Sequence, residues 1–84
     1  MINPLEFLQQ YCKIETEKDS VSYKPYEYSS LVKTITVKEA IKMIENDIKE
    51  MTDFVLPYKL SKEQAIEGTY KIWKRHLVTF RTGN

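Results

Sequence analysis

Apolar residues fall on two helical stripes in the second half of the chain. Val37, Ile41, Ile44, Ile48, Met51 and Val55 recur at steps of 4, 3, 4, 3 and 4, the spacing of one helix face. Ala40, Asp47 and Phe54 flank that stripe on one side. Ile66, Tyr70, Trp73, Leu77 and Phe80 then repeat the steps 4, 3, 4 and 3. Each stripe opens with a capping box, in which a hydroxyl and a side-chain carbonyl or carboxylate three residues later satisfy each other's backbone N–H groups. These boxes are Thr36-Val37-Lys38-Glu39 and Ser61-Lys62-Glu63-Gln64. The first helix is predicted to start at Val37 and stop before Pro57. The second is predicted to run to about Phe80, with Gly83 just past the pattern. The short linker at 56–61 predicts an antiparallel hairpin. Ile44, Ile48, Trp73 and Leu77 occupy its central turns and are the expected core.

The start of the chain predicts one more helix, over residues 4–14. Asn3 is a good N-cap, Pro4 suits the first helical position, and Glu6 completes a capping box. Leu5, Leu8 and Cys12 share a stripe beside Phe7, Tyr11 and Ile14. Residues 15–30 read as a polar, irregular connection holding Tyr23, Tyr26 and Tyr28, with Pro25 keeping Lys24 extended. Leu31 to Val37 alternates β-branched and polar residues and allows an extended segment. A lone strand makes no sheet, and no second strand is evident. The expected fold is therefore all-α: a short N-terminal helix, a tyrosine-rich connection and a two-helix hairpin, forming one domain over 1–84.

Length agrees with that reading, because 84 residues hold one small core and no separate cofactor domain. Ten aromatics and a net charge of +1 oppose disorder. The longest apolar run, Phe54-Val55-Leu56, is too short for a membrane span or a secretory signal. The one cysteine, Cys12, permits no internal disulfide and suits a reducing compartment, so a cytoplasmic location is expected. Charge is uneven. Residues 1–60 carry eight Lys against ten Asp/Glu, and residues 61–84 carry five Lys/Arg against two Glu. Near neutrality overall opposes a dedicated nucleic-acid coat. Eleven of the thirteen basic residues are Lys, a bias associated with AT-rich genomes such as those of phages.

Catalytic chemistry finds little support. His76 is the single histidine, so a metal site or a nucleophile–base pair lacks partners, and a helix-end residue is expected. Cys12 reads as a buried thiol on an apolar stripe. Glu39, Lys42, Glu45, Lys49 and Glu50 form a solvated face of ion pairs. No phosphate-loop, zinc or nucleophile-elbow pattern is present. The chain is expected to be no enzyme and to need neither cofactor nor metal.

Binding residues are easier to nominate. Gly68 costs a helix about 1 kcal/mol relative to Ala, and with Ala65 and Ile72 it forms a stripe where another helix could cross. The crossing helix is either the chain's own first helix or one from a second copy. Trp73, Tyr70 and Arg75 are residue types enriched at interface hot spots, and Tyr23, Tyr26 and Tyr28 extend the aromatic set. Lys24, Lys71, Lys74 and Arg75, with Arg81 beyond them, form a candidate anion site, although a solvated face complementing the helix dipole is the favoured reading. The tyrosine segment is expected to lie as a lid over the hairpin.

One resemblance supplements these readings. Ser61-Lys62-Glu63-Gln64-Ala65-Ile66 through Thr69 resembles the start of the second hairpin helix in phage proteins that sequester cyclic oligonucleotide signals. Tyr23-Lys24-Pro25 is similar to a Tyr-x-Pro segment ahead of their first long helix. The resemblance covers about a dozen residues, and Gly68 and the N-terminal helix depart from it. It implies an oligomeric helical-hairpin binder of an anionic nucleotide. From the residues themselves, the principal expectation is a small phage-type or mobile-element accessory protein. Such a protein would bind and modulate a partner protein, or itself, through an aromatic helix face. Direct nucleic-acid binding ranks third.

Overall fold

A computed structural model describes residues 2–26 and 28–78. The expectations placed on Phe80, Arg81 and Gly83 lie outside the described residues. Three helices form where capping boxes start them: α1 (Pro4–Cys12), α2 (Val37–Val55) and α3 (Lys62–His76). All three boxes close reciprocally, Asn3 with Glu6, Thr36 with Glu39 and Ser61 with Gln64. Lys13 ends α1 in the left-handed conformation at φ 56°, two residues earlier than the apolar pattern suggests. A 3-10 turn (Leu56–Tyr58), followed by Lys59 at φ 58°, joins α2 to α3.

The all-α expectation is corrected by a three-stranded antiparallel sheet of β1 (Ser20–Tyr23), β2 (Lys33–Thr36) and β3 (Leu77–Val78), in the order β2-β1-β3. The strand missed in the sequence is β1, whose Ser-Val-Ser-Tyr alternation is too brief to stand out from its polar surroundings. It is nevertheless central. Val21 pairs with Ile35 on one side, and Tyr23 pairs with Leu77 on the other. The turn before β1 is tied by Asp19, whose carboxylate accepts the backbone N–H groups of Glu15 (2.8 Å) and Thr16 (3.0 Å). Those two bonds, Thr16's foremost, lower the Asp19 pKa.

The predicted length of α3 is also corrected. The helix stops at His76, and Leu77 is extended with ψ 136°. The His76 carbonyl accepts the Lys24 N–H at 2.7 Å. His76 Nδ1 lies 2.9 Å from the Lys24 carbonyl oxygen, a bond that the Nδ1–H tautomer donates. Backbone groups that another helical turn would have used are thus satisfied by the sheet.

The core gathers Phe7 and Leu8 of α1, Val21 of β1, Val37, Ala40 and Ile44 of α2, and Tyr70, Trp73 and Leu77 from the end of the chain. Ile44 is fully enclosed, whereas Ile48 is only partly buried at the edge of the cluster. Of the four expected core residues, three are buried and Ile48 is peripheral. α1 covers one flank of the hairpin. Phe7 stacks on Tyr70 with ring centroids 4.5 Å apart, and Tyr11 donates from its hydroxyl to the Lys74 carbonyl at 3.2 Å.

Candidate functional site

Among the described residues, the other flank of the hairpin has no such cover. There α2 and α3 bound a groove of about 520 Å³, with Asp47, Glu50, Met51 and Phe54 on one wall and Thr69, Ile72 and Trp73 on the other. A smaller recess of about 180 Å³ continues it past Met43 toward Tyr23, Pro25 and His76. Phe54 is 66% exposed and Ile72 42% exposed. These are large apolar side chains facing water along a concave surface, which is where recognition concentrates. At the open end, Leu56, Tyr58 and Leu60 are also exposed, and the Phe54 and Tyr58 rings sit 5.9 Å apart.

A polar anchor lies in the groove. The Trp73 indole N–H donates to Asp47 Oδ2 at 2.7 Å. Trp73 is buried and its N–H needs an acceptor, so this bond fixes the ring and joins the facing turns of α2 and α3. Thr69 is buried beside it and removes its own polarity by donating to the Ala65 carbonyl at 2.8 Å.

The residues nominated from sequence separate into distinct places. Trp73 lines the groove and Tyr23 its continuation, with their ring centroids 6.2 Å apart. Tyr26 and Tyr28 are 75% and 93% exposed, so the tyrosine segment is no lid; Tyr23 and Pro25 alone shape the groove end. Tyr70 is not a surface residue. It is buried against Phe7, and its hydroxyl donates to the Ile2 carbonyl at 2.8 Å. Burial first, and then the charge of Glu6, raise its pKa. Ala65 is buried, Ile72 is on the rim, and among the described residues no atom outside Gly68's chain neighbours and its own helix backbone lies within 4 Å of where a Cβ at Gly68 would sit. The chain's own α1 therefore does not cross at Gly68, and that half of the expectation is withdrawn.

The anion-site residues do not converge. Lys74 lies over the Tyr11 ring, 5.6 Å from its centroid, on the α1 side. Lys71 and Arg75, one turn apart, share the outer face of α3, and Lys24 is bonded through its backbone to His76 at the sheet. Cys12 is half-buried at the edge of the core, where burial pushes its thiol pKa up to about 11.

The α2 wall is what the sequence reading missed. Met43, Asp47, Glu50 and Phe54 step by 4, 3 and 4, a second stripe beside the core-facing one. From sequence, Asp47 and Phe54 only flank the core stripe and Glu50 belongs to the solvated face, so the four do not read as one surface. Among the described residues no helix is long and apolar enough to cross a membrane, and no cluster of three or more His, Cys, Asp or Glu could hold a metal ion. No family model matches the chain, and neither a curated protein nor a solved structure matches it.

Proposed function

We propose that this chain is a small non-enzymatic interaction protein that docks an apolar helix of a partner protein in the groove between α2 and α3. The observation that carries this reading is the exposure of Phe54 and Ile72 along a groove whose bottom is set by the Trp73–Asp47 bond. An amphipathic helix laid in such a groove presents side chains at i, i+3/i+4 and i+7, and its apolar face removes both exposed residues from water. Trp73 supplies the rigid aromatic surface typical of hot spots, and Tyr23 and Pro25 set the end of the docking channel.

Capture of binding proteins on immobilised variants tests the reading. Ile72→Glu and Phe54→Glu place a charge in the channel and should abolish capture while leaving the melting temperature within a few degrees. Lys49→Glu, on the solvated face of α2, should change nothing. Equal capture by all three variants would refute the groove as the docking surface.

A further inference from the structure

We infer that the recess continuing the groove takes the ammonium group of a lysine on the docked helix, with Asp47 as its counter-charge. The inference rests on the groove reading above and names the chemistry that the partner must bring. Its support is an anion without a cation. Asp47 lines both the groove and the recess. Its Oδ2 accepts the Trp73 indole N–H at 2.7 Å. Among the described residues its other carboxylate oxygen accepts no hydrogen bond, and no Lys or Arg pairs with it. No Lys or Arg lines either cavity. A purely apolar helix seated on this wall would take the Asp47 carboxylate out of water with a single hydrogen bond, and a buried charge without a partner is strongly disfavoured. A helix that seals the groove therefore has to carry a cation to this point.

The surroundings select the kind of cation. Tyr23 and Trp73, with ring centroids 6.2 Å apart, both line the recess, and aromatic faces attract a cation through their quadrupole. Met43, Pro25 and Ile72 add apolar surface for the methylene stem of a long side chain. His76 lines the same recess. Its Nδ1–H is spent on the Lys24 carbonyl, so in the neutral ring Nε2 is an acceptor. With Oδ2 engaged by the indole, Asp47 offers one free oxygen. The forked guanidinium of arginine matches a carboxylate with both oxygens free, whereas the lysine ammonium is a point charge that one oxygen satisfies. Lysine is therefore the better match.

Nuclear magnetic resonance titration of the full chain with n-butylammonium, a lysine side chain without its backbone, tests the site at about pH 8, where an ordinary imidazole is neutral. The Trp73 indole N–H signal should shift saturably in the millimolar range. n-Butanol, of similar shape without the charge, should bind about tenfold more weakly or less. Asp47→Asn keeps an oxygen for the indole and should weaken n-butylammonium binding about tenfold, the loss expected of one charged hydrogen bond. Tyr23→Leu should weaken it about threefold. n-Butanol binding as tightly as n-butylammonium to the wild-type chain, or Asp47→Asn binding n-butylammonium unchanged, would overturn the site. Tighter binding of methylguanidinium would overturn the choice of lysine. Immobilised Asp47→Asn should also capture the partner about tenfold less well, and unchanged capture would overturn the partner as the source of the cation. If Ile72→Glu abolishes capture while n-butylammonium fails to bind, the groove reading stands and only the lysine site falls. If groove substitutions leave capture unchanged, the groove reading falls and the docked lysine with it.

Discussion

Truncating Ile44 and Ile48 in parallel separates the centre of the core from its edge. Both are isoleucines of α2 on the same apolar stripe, so the substitution to alanine removes the same three carbons and gains the same helix propensity. Ile44 is fully enclosed within the core cluster, whereas Ile48 is only partly buried against it. Three enclosed carbons at about 0.8 kcal/mol each, with the cavity left behind, bring Ile44→Ala to about 3–4 kcal/mol. With part of its side chain already in water, Ile48→Ala should cost about half as much, roughly 1–2 kcal/mol. A chain of 84 residues has on the order of 4–13 kcal/mol of total stability. The larger loss is therefore severe, and Ile44→Ala should lower the melting temperature by on the order of 10–30 °C. Urea titration followed by far-ultraviolet circular dichroism, at low micromolar concentration to keep association out of the measurement, gives both values. Equal costs for the two variants, or a cost below about 1 kcal/mol for Ile44→Ala, would refute the placement of the core.

Further outcomes follow from other contacts. Asp47→Ala leaves the buried Trp73 N–H without its acceptor and should cost about 1–3 kcal/mol; Asp47→Asn keeps an acceptor oxygen and should cost clearly less, and equal losses in urea titration would argue against the bond. The Lys24 amide, bonded to the His76 carbonyl, should be protected in native-state hydrogen exchange, and free exchange there would contradict the pairing of β1 with the end of the chain. Cys12 should alkylate far more slowly in the folded than in the unfolded protein at neutral pH, and equal rates would refute its burial. Its pKa rises from 9.0 to about 11 on folding, so the unfolded chain gives up its thiol proton first. The stability held below pH 9.0 is then lost as pH rises toward about 11, and a melting temperature flat across that interval would contradict the shift.

The helices were legible because each announces itself twice, by a capping box and by a 4-3 stripe. The α2 start at Val37 and the α3 start after Ser61 follow from the Thr36–Glu39 and Ser61–Gln64 boxes. The sheet was hidden for a different reason. β1 has four residues and a single buried side chain, Val21, and its strand partners are 10 to 56 residues away in sequence, as the pairings of Tyr23 with Lys33 and of Ser22 with Val78 show. Local pattern carries little of such non-local pairing. The stripe through Leu77 ran on as helix because a strand continuing directly from a helix keeps the same apolar residue on the core side. The candidate site was half legible: Trp73, Ile72 and Tyr23 stood out as aromatic or helix-crossing residues. The Met43–Phe54 wall did not, because Asp47 and Phe54 read only as flanking the core stripe and Glu50 as part of the solvated face, whereas the structure bonds Asp47 to the Trp73 indole. Tyr70 misled for the opposite reason. A hot-spot residue type is also a good core residue when its hydroxyl finds a carbonyl, and here Ile2 provides one.

Site-specific photo-crosslinking tests the central claim, docking in the α2–α3 groove, most directly. A photoreactive phenylalanine at position 72, on the groove rim, should cross-link to a protein chain in high yield. The same group at position 49, on the solvated face of α2, should give only background. Equal cross-linking from positions 72 and 49, or none from 72 under conditions where binding occurs, would contradict the account.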